Sequence, residues 1–357
     1  MRVCILGNGL TSLVLAKSLI NKGLNVDIFS KSKDPNFNKS RTLSISKSNI
    51  SFFNSNITNI NKLLWKIEKI EVYNKFFKDE KILNFENSNK ELLSIIKNSE
   101  LYDCLVSELN KSSLFQFKKK IIDEKFIKKK YNLIINCEFD NFITKKYFFK
   151  KIEKDYNSFA YTTLIKHKNF FKNNTAVQIF TEKGPIAFLP ISNTETSVVY
   201  SIQDPKNIDL ENLIKKFNTK YSILKINEIF RFKLKSSNLR SYYHKNILAF
   251  GDLLHKLHPL AGQGFNMTIR DISVLNNLID LKIKNGLDID SSVCTDFEKK
   301  TKHKNFLFAN GIDFIYEFFN IESRFNNSFL TKSVKFFGKN KYVNKFFTNL
   351  ADKGLVI

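Results

Sequence analysis

Arginine is scarce in this chain. Of 58 basic residues in 357, only Arg2, Arg41, Arg231, Arg240, Arg270 and Arg324 are Arg, so Lys carries nearly all of the formal net charge of +24. Lys scattered among Asn, Ile and Phe in every region points to nucleotide bias in the gene. A dedicated nucleic-acid reader would favour the planar Arg fork, which pairs with guanine and phosphate. No nucleic-acid partner is therefore expected. The runs Lys118–Lys120 and Lys128–Lys130 read as solvated strand flanks. The surplus charge favours an anionic surface, and a membrane surface first among these. Cysteine is sparse too: Cys4, Cys104, Cys137 and Cys294 stand far apart with no Cys-x-x-Cys pair. That excludes a zinc ribbon, argues against a disulfide scaffold and suits a reducing compartment. Eleven Gly and five Pro exclude collagen-like and Pro-rich linker architectures. No apolar run reaches about 18 residues, so no bilayer-spanning helix is expected. The longest aromatic stretch, 306–320, is interrupted by Asp313 and Glu317. No signal peptide is expected, because the chain enters a strand at Arg2 and reaches Gly7 without room for an apolar segment.

Hydrophobic residues make up 43% of the chain, enough for sizeable cores, and the length suggests two interlocked domains or one large one. Val3–Leu6 is a short apolar run and Gly7-Asn8-Gly9 a tight turn. Leu10, Leu13, Val14, Ala16, Leu19 and Ile20 then recur at helical spacing until Gly23, and Asn25–Phe29 reads as a second strand. This βαβ opening predicts a parallel sheet. Short strands of an inserted unit are predicted within 60–92, a helix over Glu100–Asn110 and a buried strand over Tyr131–Cys137. Several β-rich runs follow between 156 and 203, then a strand over Asn246–Phe250 and a helix over Phe265–Ile283. The remainder reads as helical, and no internal repeat or long linker is visible.

Two constellations carry chemistry. The first is Gly7-x-Gly9-x-x-Ser12 between a strand and a helix. Glycine permits the turn and lets backbone approach a pyrophosphate, while the helix offers free N–H groups and the positive end of its dipole. Ser12 replaces the third small residue of the pattern. The acid expected about 20 residues later is displaced: the second strand ends at Ser30 and Asp27 lies inside it. The plainer alternative is a Gly turn in an unliganded α/β layer. The second constellation is Gly251-Asp252-x-x-His255-x-x-His258-Pro259-x-Ala261-Gly262-Gln263-Gly264-x-Asn266-x-x-x-Arg270-Asp271. Asp252 follows a buried strand, where its carboxylate can accept bonds from a polyol. Gly262 and Gly264 permit backbone contact with a flat ring at the mouth of the next helix. Asp252, His255 and His258 also admit a metal-ligand reading, disfavoured by Pro259 and by the lack of a further ligand. Either His can equally be a packing residue.

The segment Asn246–Asp271 resembles the second flavin motif of the UbiH-type ubiquinone-biosynthesis hydroxylases, class A flavoprotein monooxygenases with the p-hydroxybenzoate hydroxylase fold. Phe180-Thr181-x-x-Gly184-Pro185-Ile186-Ala187-Phe188-Leu189-Pro190, with Tyr156 and Ala160 upstream, is similar to that family's substrate-domain strands. Arg41-Thr42-Leu43-Ser44 is similar to its Arg-containing segment near the flavin. The resemblance runs from residue 1 to about 320. It implies an α/β fold with a Rossmann-like FAD-binding domain, an interleaved β-rich substrate domain and a helical C-terminal region. The expected FAD-binding segments are 1–60, 93–150 and 241–285, the substrate segments 61–92 and 151–240, and the C-terminal region 286–357. The cofactor-binding residues implied are Gly7, Gly9, Ser12, Arg41, Asp252, Pro259, Gly262, Gln263, Gly264 and Asn266. The implied activity is hydroxylation of a polyprenylated phenol or quinol through a flavin C4a-hydroperoxide. FAD, O2 and NAD(P)H or another electron donor would take part, and other ubiquinone-biosynthesis enzymes are implied partners. No catalytic base is identified.

The sequence departs from the family at Cys137-Glu138-Phe139-Asp140-Asn141, where Glu138 stands for Asp and Phe139 for Gly, and at Leu253-Leu254, where a small pair is usual. Two other readings stay open: another flavoprotein of the fold, such as a prenyl reductase or a hydroxylase outside quinone metabolism, or a non-catalytic member that supports a quinone-biosynthesis complex. Towards the C-terminus Phe306, Phe308, Ile312, Ile315, Phe318 and Phe319 recur near helical spacing, and Phe336, Phe337, Phe346 and Phe347 follow among Lys. Such a helix can lie on an anionic membrane or pack on the flavin domain. The expected location is cytoplasmic, peripheral on the inner face of the membrane.

Overall fold

The structure, a computed structural model, describes residues 1–31, 40–74, 80–86, 91–119, 130–203, 208–258, 262–325 and 352. The chain opens with β1 (Arg2–Leu6), α1 (Leu10–Ile20) and β2 (Asn25–Phe29), followed by β3 (Thr42–Ser46), α2 (Lys47–Asn56), β4 (Trp65–Ile67), β5 (Lys69–Asn74), β6 (Glu80–Glu86) and β7 (Leu93–Lys97). Then come α3 (Asn98–Asn110), β8 (Phe115–Lys118), β9 (Leu133–Asn136) and α4 (Phe142–Tyr147). A long β-rich passage follows: β10 (Lys151–His167), β11 (Thr175–Thr181), β12 (Gly184–Pro190), β13 (Glu195–Gln203), α5 (Leu210–Phe217), β14 (Ile223–Ile226) and β15 (Phe230–Leu239). The chain continues through β16 (Tyr243–His244), β17 (Ile247–Ala249), β18 (His255–Lys256), α6 (Gln263–Lys284) and α7 (Ser291–Phe325).

The first sheet has the order β16-β17-β9-β1-β2-β8, and every pair except β16–β17 is parallel. Its central strands are apolar runs buried on both faces, as a parallel sheet covered by helices requires. Helix α1 packs on α3 and α6, and Ser18 Oγ donates to Asn276 Oδ1 at 2.7 Å between α1 and α6. Asp27 belongs to this layer. Buried at 2% exposure in β2, it accepts from Lys118 Nζ at 2.6 Å and from the Tyr131 hydroxyl.

The large sheet runs β18-β15-β10-β13-β12-β11-β5-β6, with β14 paired to β10. In β12 and β13 the side chains alternate as a strand dictates. Ile186, Phe188, Val198, Tyr200 and Ile202 enter a core closed by Ile214 and Phe217 of α5. Pro185, Ala187, Leu189, Ser197, Val199 and Ser201 face the opposite way, into a cleft. Gly184 starts β12 at φ +127°, and a Cβ there would stand 2.2 Å from the Ser201 carbonyl oxygen, so only glycine fits. A small antiparallel sheet, β3-β7-β4, bridges the two larger ones. The expected limits at 60/61 and 92/93 fall inside it, because β4 pairs with β7 and β7 with β3.

The predicted helix over Phe265–Ile283 begins two residues earlier, at Gln263, because Gly262 in the left-handed region (φ +62°) turns the chain directly into it. The C-terminal stripe divides. Phe308 and Ile312 are buried with Leu257 and Met267, whereas Phe306 is 44% exposed. The side chains of Ile315, Phe318 and Phe319, and all of Phe336, Phe337, Phe346 and Phe347, lie outside the described residues.

Candidate active site

A cleft of about 460 Å³ is lined by strands of the large and small sheets and by the segments that leave the first sheet. On one side stand the β1–α1 turn and the segments around Asp252 and Gly262. The turn is held by the Gly7 N–H, which donates to the Phe29 carbonyl at 2.8 Å, with Gly7 at φ +102°. Gly9 is the N-cap of α1 and makes no side-chain cap, so the N–H groups of the first turn lack intrahelical partners. A Cβ added at Gly9 or at Gly264 would meet nothing within 4 Å, which leaves room above both backbones. Gly262 is different: a Cβ there would come within 2.3 Å of Ser44 Oγ. Close approach of the α6 mouth to β3 thus requires glycine.

Gly9, Ser12, Arg41, Asp252, Gly262 and Gly264 all line the cleft. Asp252 leaves β17 in a single 3-10 turn (Gly251–Leu253) and is exposed. Ser12 Oγ is buried beside the Cys137 thiol, whose pKa burial raises to about 12, so this cysteine is no nucleophile. Gly7 shapes the turn without lining the cleft. Pro259 lies outside the described residues.

Asn266 lies behind the cleft wall. It is 1% exposed and absent from the cleft wall, because protein partners use its whole amide. Its Oδ1 accepts from the Ser46 N–H at 2.9 Å and from Asn49 Nδ2 at 2.8 Å, and its Nδ2 donates to the Ser44 carbonyl at 2.9 Å. Its side-chain amide, fully used in this way, positions the mouth of α6. Gln263 is likewise off the wall, 8% exposed, with a buried Oε1 that lacks a partner among the described residues. Asp27, spent inside the first sheet, does not reach the cleft. The Asp252, His255 and His258 side chains part company: His255 Nε2 meets Asp271 Oδ2 at 2.5 Å, while His258 lines the cleft edge-on to Tyr156 at 4.7 Å. Burial holds the His258 imidazole neutral, its pKa lowered to about 3. Phe139, half exposed, stands in the cleft wall beside the α1 turn.

The opposite wall was expected only as substrate-domain strands, without its ligand-facing residues. Val177, Ala187, Leu189 and Val199 of the large sheet and Leu93 and Ile95 of β7 make it mainly apolar. The signal was present in β12, where every second residue is apolar on both faces, but periodicity does not reveal which face meets a ligand.

Geometry and chemistry therefore combine free helix N-termini, an exposed carboxylate and an apolar wall in one cleft. No family model matches the chain. In sequence it is 24% identical over 206 residues to the mitochondrial ubiquinone biosynthesis monooxygenase COQ6 of Danio rerio, covering 45% of this chain and 43% of that protein. The Homo sapiens protein of the same name is 26% identical over 200 residues, covering 44% and 43%. The matches thus span under half the length of these relatives. In structure, a Klebsiella pneumoniae HpxO variant complexed with FAD superposes with a TM-score of 0.75 at 12% identity, covering 98% of this chain and 99% of that one. The p-nitrophenol 4-monooxygenase PnpA of Pseudomonas putida gives 0.75 at 11% identity, covering 99% and 98%. The chain has the fold of the FAD-dependent monooxygenases and is related in sequence to the ubiquinone biosynthesis monooxygenases.

Proposed function

We propose that this chain is an FAD-dependent monooxygenase that hydroxylates the aromatic ring of a polyprenylated ubiquinone precursor, with O2 as co-substrate and NAD(P)H as electron donor. The two-sided cleft is the observation that carries this reading. Its residues fit FAD: open backbone at Gly9 and Gly264, uncapped helix N-termini and an exposed carboxylate are the donor and acceptor set a dinucleotide needs. FAD, when bound, supplies the redox chemistry and oxygen activation that side chains lack. The first turn of α1 would bind the pyrophosphate, and Asp252 would accept hydrogen bonds from the ribitol. The Gly262–Gly264 backbone would lie against the ring system.

The apolar wall formed by Val177, Ala187, Leu189 and Val199 suits an apolar ring and excludes water from it. Arg41, Lys235 and Lys256 surround the cleft with positive charge, which favours the ionised, electron-rich form of a phenol. A peripheral position on an anionic membrane fits a substrate with a lipid tail. Exposed Phe142, Phe149 and Ile152 among Lys145, Lys146, Lys150 and Lys151 support it. Among the described residues no helix is long and apolar enough to cross a bilayer.

The purified chain should carry non-covalent flavin with its visible absorbance. Asp252→Ala should lower flavin occupancy at limiting FAD about tenfold, at unchanged folding stability because the carboxylate is exposed. Equal retention by both proteins would remove Asp252 from the site. A strain lacking the gene should accumulate a ring-unhydroxylated quinone precursor. Phe139 in the wall favours one rival, a non-catalytic supporting protein. That rival predicts no flavin and co-purification with pathway enzymes.

A further inference from the structure

Between α6 and α7 lies a second cavity, of about 410 Å³, that shares no lining residue with the cleft. Four cations border it: Arg270 on α6, and Lys299, Lys300 and Lys304 on α7. The one acid in its wall, Asp271, is already engaged, through Oδ2 with His255 at 2.5 Å and through Oδ1 with Asn305 Nδ2 at 3.0 Å. The two terminal nitrogens of Arg270 are buried and have no hydrogen-bond partner among the described residues. Its guanidinium lies 4.7 Å from the centre of the Phe308 ring, an attraction that leaves the in-plane N–H groups unused. The other nearby carboxylate, Asp352, acts on Arg270 through space, but its Oδ1 accepts the Ser48 N–H at 2.8 Å. Burial lowers the Arg270 pKa only to about 10, so the guanidinium stays charged at neutral pH. An enclosed guanidinium with idle donors is strongly unfavourable unless an anion completes it.

We infer that this cavity binds a phosphate monoester carrying a small apolar substituent. The phosphoryl oxygens take the paired terminal nitrogens of Arg270, a planar fork matched to phosphate. Lys299, Lys300 and Lys304 surround the dianion with charge, and Met267, Val274 and Phe308 offer the apolar portion a surface. A dianion fits better than a carboxylate because four cations border the cavity, while the two carboxylates that act on Arg270, Asp271 and Asp352, already accept hydrogen bonds from the protein. The site is independent of the flavin reading, since the cleft and its residues take no part.

The full chain, saturated with FAD so that the flavin cleft is filled, is titrated with phenyl phosphate by calorimetry. One saturable site is expected. Arg270→Gln should weaken it by about tenfold or more, as loss of a charge-assisted pair does, and Arg270→Lys, which keeps the charge but not the fork, should weaken it less. Lys215→Gln/Lys216→Gln, which removes two exposed charges elsewhere, should leave it unchanged. Sedimentation with phosphatidylcholine vesicles containing phosphatidic acid separates two sources of the same chemistry. A sedimented fraction that falls in Arg270→Gln identifies a lipid headgroup, and ester binding without Arg270-dependent sedimentation identifies a soluble metabolite. No saturable binding by the unaltered chain, equal binding by Arg270→Gln, or an equal loss in the Lys215/Lys216 variant would each overturn the site. Flavin absorbance recorded in every variant keeps a failure here distinct from a failure of the proposed oxygenase.

Discussion

Buried at 1% exposure with its ring edge-on to Tyr156, His258 is a base held neutral by lack of water. Its folded pKa lies near 3 against an ordinary 6.5. Between these values the unfolded chain takes up a proton that the folded chain refuses. The stability this group allows is therefore complete above pH 6.5 and falls as pH drops towards 3. From pH 7 to pH 5 the expected loss is about 2 kcal/mol. Urea unfolding of the chain and of His258→Asn at both pH values checks this, and a variant that loses as much as the parent would show that other groups carry the dependence. Gly262 presents the complementary case, in which backbone conformation decides. At φ +62° and 2.3 Å from Ser44 Oγ for an added Cβ, Gly262→Ala should cost about 1–3 kcal/mol in chemical denaturation. Adding Ser44→Ala should recover only the part due to the contact, not the part due to φ.

The Asn266 amide ties down the mouth of helix α6. Asn266 ties it to β3 and to α2, and Asn266→Ala would remove the buried acceptor of the Ser46 N–H and the donor to the Ser44 carbonyl, while Asn49 Nδ2 keeps the Asn266 backbone carbonyl at 3.2 Å. About 3 kcal/mol of destabilisation is expected, measured by urea unfolding, with flavin retention falling alongside because the Gly262–Gly264 backbone loses its anchor. A loss below about 0.5 kcal/mol would mean that water replaces the amide. The elements themselves were legible in the residues. The spacing of Leu10, Leu13, Val14 and Leu19 placed α1, and the apolar run before Asp252 placed β17. The role of Asn266 was not legible, because its partners sit more than 200 positions away and no local pattern names them.

Across the whole molecule, exposed aromatic and basic residues gather around α4 and the start of β10, where Phe149 is 60% exposed. Flotation of the flavin-loaded chain with anionic vesicles should succeed at low salt and weaken as salt rises. Phe142→Ser/Phe149→Ser should lower the bound fraction several-fold, whereas undiminished flotation would move the contact elsewhere. The C-terminal stripe shows why assembly was needed to make this choice: Phe308 and Ile312 are consumed in packing against Leu257 and Met267, and so are unavailable to a membrane.

What the residues fixed by themselves were the glycine turns, the strand–turn–helix opening and the alternation of β12, since backbone dihedrals and apolar spacing act over a few neighbours. Which polar groups remained free was decided only when strands distant in sequence came together. Asp27 was paired with Lys118 and hydrogen-bonded by Tyr131, Asp252 was left open in the cleft, and the Arg270 terminal nitrogens were enclosed without a hydrogen-bond partner among the described residues. Burial and the supply of partners belong to the assembled fold, because both depend on what every other segment brings to the same place.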